Sequence, residues 1–214
     1  MRFFQSDSPL MEGLARLTDL VVLNLVVLVC CIPVFTIGAA LTGMHYVLLK
    51  MARNEEGYIV RSYLRSFKEN FLQATGMWLF FLLAGFIVYL DLRLLEGEGM
   101  ASVRVLLAGG GFFIYLIFLY AFPLLARYRN TVRGTLANAA RLAAAAFPRA
   151  LGMAVLSAAP VILVLAVPFL FPLLLLLGLS GTGYACALLY SPLFARLEEG
   201  IKPDQEKEEG EKNL

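Results

Sequence analysis

Residues 48–71 read LLKMARNEEGYIVRSYLRSFKENF, a basic, aromatic-rich run set between two segments apolar enough to lie in lipid. Val60, Leu64, Phe67 and Phe71 recur at steps of four, three and four, the spacing of one helix face. Arg61, Ser62, Arg65, Lys68, Glu69 and Asn70 fall on the other side. A short helix with that division of faces suits a membrane–water interface better than the interior of a bilayer. The reading is an amphipathic elbow, with its apolar stripe against lipid or the helix bundle and its basic face in water.

What surrounds the elbow sets the class of the protein. Of 214 residues, 60% are hydrophobic and 16% charged, and the mean hydropathy is +0.76. A soluble domain has no use for so much apolar surface. The apolar runs recur almost to the end of the chain, unlike the single short run of a cleaved secretory leader. The expectation is an all-α, polytopic transmembrane helix bundle. The net charge of +2 is small, and no aromatic-basic groove pattern is present, so nucleic acid is not an expected partner. Cys30, Cys31 and Cys186 all fall in apolar runs and read as small packing residues rather than ligands.

A span needs roughly 20 apolar residues. Residues 74–95 and 103–126 qualify directly, and 150–196 is long enough for two helices, about 150–170 and 172–196, with Pro168, Pro172 and the GLSGTG run at 178–183 offering places to bend. The first block, 17–50, reads either as one long helix or as two short ones parted at IPVFTIG, where Pro33 interrupts the hydrogen-bond ladder. Lys50, Arg53, Arg61, Arg65 and Lys68 make one loop basic, and Arg127, Arg129, Arg133, Arg141 and Arg149 do the same for another. By the positive-inside rule both are cytoplasmic, and the acidic 91–104 loop is outside. The tail 197–214 is charged and reads as a disordered cytoplasmic end. With both termini inside, the number of spans is even. The expectation is about six membrane helices in one domain, 1–196, plus two cytoplasmic amphipathic elbows, in a bacterial cytoplasmic membrane.

Sliding the chain against itself by 76 residues superposes the basic loops: ARN at 52–54 on YRN at 128–130, Arg65 on Arg141, Phe71 on Phe147, and GM at 76–77 on GM at 152–153. The second loop carries its own stripe of Leu136, Ala140, Ala143 and Phe147. Two helix–elbow–helix units of the same orientation, about 36–95 and 112–171, are thus expected. Such a parallel repeat differs from the inverted halves of many secondary transporters.

Ionisable and strongly polar groups within spans are costly and point to function or to helix pairing. His45 and Asn24 are the main ones, and each reads first as a helix-to-helix hydrogen bond. GLSG at 178–181 has the GxSG form found around the nucleophile of rhomboid-type proteases, but His45, the one histidine, precedes it rather than following. There is no HExxH motif, no Cys/His cluster and no phosphate-binding loop. No catalytic, cofactor-binding or metal-binding residue is expected.

The ordered set Asn24, Pro33, Thr36, Gly38, Tyr46, Lys50, Arg53 and then EEGYIVRSYLRSFKENFLQAT resembles the YesL family of bacterial integral membrane proteins. The resemblance covers about the first third of the chain. It implies membrane residence and a link to carbohydrate uptake or utilisation, and it supplies no catalytic residue. The resulting expectation is a non-enzymatic accessory protein that docks a membrane or cytoplasmic partner of a sugar uptake system. The first elbow would carry the contact, through Arg53, Asn54, Arg61, Arg65 and Lys68. The alternative is a small-molecule transporter or permease subunit. Against it stand the scarcity of polar groups in spans and a second elbow, NAARLAAAAFPRALG, that does not reproduce the EAA-type loop of permeases.

This topology has a direct check. A reporter active only outside the cytoplasm is expected to be silent when fused after Arg53 or Arg141 and active near Glu98; activity at Arg141 would overturn it.

Overall fold

The computed structural model describes the backbone of residues 9–55, 57–95 and 100–212, and within those bounds the side chains of 11 and 13–195. Eight α-helices occur among the described residues: α1 Pro9–Cys30, α2 Ile37–Ala52, α3 Ile59–Glu69, α4 Phe71–Leu94, α5 Ala101–Arg127, α6 Val132–Ala145, α7 Phe147–Ala166 and α8 Phe171–Lys212. Two 3-10 turns, Val34–Thr36 and Pro168–Leu170, join α1 to α2 and α7 to α8. Six helices, α1, α2, α4, α5, α7 and α8, contain stretches long and apolar enough to span a bilayer. The protein is a polytopic helix bundle, as lipid demands of a chain whose backbone polar groups must be satisfied internally. The charged 197–214 tail falls where side chains lie outside the described residues.

The breaks between spans have local causes. At the first, Pro33 lacks the N–H a continuing helix would use, and the Thr36 hydroxyl folds back to donate to the carbonyls of Cys30 at 2.6 Å and Pro33 at 2.7 Å. A helix-end carbonyl that would otherwise be orphaned in an apolar setting is thereby satisfied. The 17–50 block is therefore two spans. In the last long run the break falls at Val167–Leu170, close to the expected position. The GLSGTG glycines, expected to bend the chain, do not: α8 runs through them unbroken. Their use is close packing instead. A Cβ on Gly183 would sit 2.7 Å from Leu48 Cδ1 and 3.1 Å from Met44 Cε, so α8 touches α2 there with nothing between.

α2 is the centre of the bundle. Besides Gly183 from α8, it meets α3 at Gly43, where a Cβ would lie 3.0 Å from the Tyr63 ring and 3.2 Å from its carbonyl oxygen. It meets α4 at Gly38, against the Ala74 carbonyl and Trp78 Cβ. Gly57 lies beside Lys50. The chain after α2 thus runs back along it, and the elbow packs on the flank of the helix it follows. Trp78 Nε1 donates to the Val34 carbonyl at 2.8 Å, tying α4 to the α1–α2 turn. Small residues at contacts are the usual means of helix association in lipid, where apolar burial offers no net drive. Phe81, Phe118 and Phe122 then form an edge-to-face cluster between α4 and α5.

The two basic loops fold alike. α3 ends at Glu69 and α4 starts at Phe71; α6 ends at Ala145 and α7 starts at Phe147, the same boundaries 76 residues on. Buried positions keep that register: Met44 and Tyr120, Leu48 and Leu124, Tyr63 and Ala139, Ser66 and Leu142, Ala74 and Ala150, Met77 and Met153. The elbow's expected stripe divides: Phe67 and Phe71 pack against the core beside the buried Tyr63 and Ser66, whereas Val60 and Leu64 are 40% and 39% exposed. The stripe counted only apolar residues, and Gly43 leaves room on α2 for an aromatic ring that displaces the buried sector by about one residue.

Gly38→Val is expected to lower thermal stability in detergent by an amount in the overpacking range, about 1–3 kcal/mol or more, because the Ala74 backbone must move. Gly110→Ala, whose added Cβ would meet no atom within 4 Å, is expected to be neutral.

Candidate functional site

Three polar features interrupt the apolar bundle. The deepest is a clamp between α1 and α8. Asn24 is fully buried; its amide Nδ2 donates to the Leu175 carbonyl at 2.6 Å, and its Oδ1 accepts from the Ser180 N–H at 3.0 Å. The Ser180 hydroxyl donates to the Leu20 carbonyl at 2.8 Å. Both polar atoms of the Asn24 amide are thus bonded to α8 backbone. Ser180 points at α1, while His45 Nδ1 lies 2.9 Å from the Tyr190 hydroxyl, almost three turns further along α8. The serine and the histidine serve separate contacts.

The second feature is a chamber of about 620 Å³ lined by α1, α2, α4, α5, α7 and α8. Met44, Phe122, Met153 and Cys186 form its floor and are buried. Beyond them the bundle is filled by Leu48, Tyr190 and Phe194. Val161, Leu165, Phe171 and Leu175 line the other end and are exposed, Leu165 by 77%. They flank the Pro168–Leu170 turn, so the mouth lies at the end of the bundle away from both elbows. On the wall, the Tyr115 hydroxyl donates to Ser157 Oγ at 2.6 Å, since the Ser157 proton is directed at the Met153 carbonyl 2.8 Å away. His45 also lines the chamber, and its Nε2 has no hydrogen-bond partner among the described residues. No Lys, Arg, Asp or Glu is among the described lining residues.

The third feature is the elbow end. The five residues expected to form one docking surface divide into two groups. Asn54, held in the left-handed region at φ 55°, accepts from the Arg16 guanidinium at 2.6 Å, and Arg16 also donates to the Tyr184 hydroxyl at 3.3 Å. Asn54 therefore belongs to a tie among α1, α2 and α8. Arg53 is the C-cap residue of α2. Arg61, Arg65 and Lys68 do come together, lining an open groove on the outer side of α3 with Tyr58, Val60 and Leu64. Arg65 Nε donates to Glu69 at 2.9 Å across an exposed turn, which raises the guanidinium above its ordinary pKa. On the inner side, burial pushes the Tyr63 phenol well above its usual range and keeps it neutral.

Residues 20–92 match the family model described as "Protein of unknown function, DUF624", the family to which YesL belongs. Over that stretch the chain is similar to DUF624 proteins. No curated protein and no solved structure matches. The residues that carry the YesL resemblance have visible roles in the bundle. Asn24 clamps α8, Thr36 closes the α1–α2 turn, Gly38 admits α4, and Lys50 lies 5.6 Å over the Tyr46 ring. They build the scaffold around α2. The chamber draws most of its wall from α5, α7 and α8, beyond the matched stretch, and in the sequence only His45 and Asn24 pointed to it. Tyr115 and Ser157 lie 42 residues apart and carry no linear signal.

Replacing Asn24 by Leu is expected to cost about 1–3 kcal/mol of stability in mixed micelles, because the Leu175 carbonyl and Ser180 N–H lose their partner. Ser180→Ala is expected to cost less and to be non-additive with it in a double-mutant cycle.

Proposed function

We propose that this integral membrane protein is a non-enzymatic accessory component that docks a protein partner at its cytoplasmic face through the outer side of α3. The observation that carries the reading is the groove in which Arg61, Arg65 and Lys68 stand beside Val60, Leu64 and Tyr58, the last 82% exposed. A basic cluster interleaved with exposed apolar and aromatic side chains offers both charge steering and an anchoring surface to a partner. The assignment of the partner to a carbohydrate uptake system rests on the YesL resemblance. The cytoplasmic placement of both elbows and both termini rests on the charge asymmetry of the loops.

A second reading, as a small-molecule transporter or permease subunit, draws support from the chamber between the two helix–elbow–helix units. Its closed floor weighs against it: Met44, Phe122, Met153 and Cys186 are buried, and Leu48, Tyr190 and Phe194 fill the core behind them.

The test separates the faces of α3. Changing Arg61, Arg65 and Lys68 together to Glu is expected to leave the amount of folded protein unchanged while removing partners that co-purify with the unmodified protein in mild detergent, as identified by mass spectrometry. A mutant that accumulates normally and keeps every partner refutes docking through α3 and leaves headgroup anchoring as the role of the basic face. Salt sensitivity cannot discriminate between the two, since both weaken with ionic strength.

A further inference from the structure

We propose that the chamber is a binding site for an uncharged, single-chain lipophile, its hydrocarbon body lying along α5, α7 and α8 and a hydroxyl end meeting Nε2 of His45. Four observations converge on that class of molecule. The volume, about 620 Å³, lies within the range of small-molecule sites, roughly 300–1,000 Å³. The space has a buried floor and a mouth of exposed aliphatic and aromatic side chains beside the Pro168–Leu170 turn. A ligand that enters there passes apolar side chains. The described lining includes no charged residue, so a phosphate, carboxylate or ammonium drawn inside would be desolvated without a counter-charge.

The fourth observation concerns the polar atoms of the chamber, most of which are already bonded. Asn24 commits its amide to α8 backbone, Trp78 Nε1 is bonded to Val34, and Tyr115 and Ser157 are bonded to each other and to the Met153 carbonyl. Two groups are uncommitted: the Thr182 hydroxyl, which has no bond among the described residues, and His45, whose Nδ1 is engaged by Tyr190 while Nε2 on the same ring has no partner among them. Either tautomer leaves Nε2 able to pair with a hydroxyl, as acceptor when Nδ1 carries the proton and as donor when it does not. Hydrocarbon filling alone restores dispersion contacts to the walls. The imidazole is what would distinguish an alcohol from an ordinary acyl chain.

The probe is a long-chain primary alcohol bearing a photoreactive diazirine, compared with the matching alkane lacking the hydroxyl, on the intact protein in nanodiscs. The alcohol is expected to label α5, α7 and α8 at chamber residues, and excess unlabelled alcohol is expected to compete. His45→Phe is expected to weaken that competition roughly fivefold, the size of one hydrogen bond. Because His45→Phe also breaks the contact with Tyr190, a second variant is needed. Val161→Trp places bulk at the mouth from a position 61% exposed and is expected to abolish chamber labelling without loss of folded protein. Equal labelling by alcohol and alkane, or alcohol labelling that Val161→Trp leaves unchanged, overturns the proposal and reduces the chamber to a pocket filled by bilayer acyl chains.

Discussion

Close contact at glycines on α2 and on the helix α8 packed against it is the constraint on which the bundle depends. In water, burying the Leu and Phe side chains of these helices would hold them together; in lipid it does not, because hydrocarbon solvates them equally well. Association then rests on dispersion at close range and on the few hydrogen bonds that cross between helices. Gly43 lets Tyr63 lie against α2, Gly38 admits the Ala74 backbone, and Gly183 brings α8 against Met44 and Leu48. With three neighbours fixed to one short helix, the positions of α3, α4 and α8 follow, and α5 packs on what remains.

The polar ties act at the places this packing leaves undetermined. Asn24 and Ser180 join α1 to α8 through backbone groups, which sets the register of two helices whose surfaces are otherwise largely apolar. Arg16, Asn54 and Tyr184 repeat the arrangement at the elbow end. A membrane helix can slide or rotate against another at little cost when both present only aliphatic surface. A buried amide bonded to particular carbonyl and N–H groups makes one register preferred. The functional candidates lie where packing is least complete: on the outer side of α3, and in the chamber where α5, α7 and α8 diverge around His45.

Much of the architecture was legible in the sequence, for reasons that can be named. Six spans, the split at Pro33, the break near Pro168 and the two elbows all follow from local properties: hydropathy over a bilayer's thickness, the missing proline N–H, and periodicity. The offset of 76 residues between the basic loops returns as matching helix ends at Glu69/Phe71 and Ala145/Phe147. The elbow's faces were not legible in the same way. A stripe of apolar residues identifies the side that avoids water, but lipid and protein both satisfy that demand. Tyr63 met that demand within the protein, whereas Val60 and Leu64 stay partly exposed on the outer side of α3.

The sequence by itself determined what each segment must be, because secondary structure in a membrane is dictated by the backbone's need for internal hydrogen bonds and by the length of apolar runs. Only the tertiary structure decided which residues meet. It separated Arg53 and Asn54 from Arg61, Arg65 and Lys68, turned the glycines of GLSGTG from a bend into a contact, and paired Tyr115 with Ser157 on the wall of a chamber that no linear pattern announces. Those outcomes depend on distances between helices far apart in the chain, set by side chains as small as a hydrogen atom at Gly38, Gly43 and Gly183.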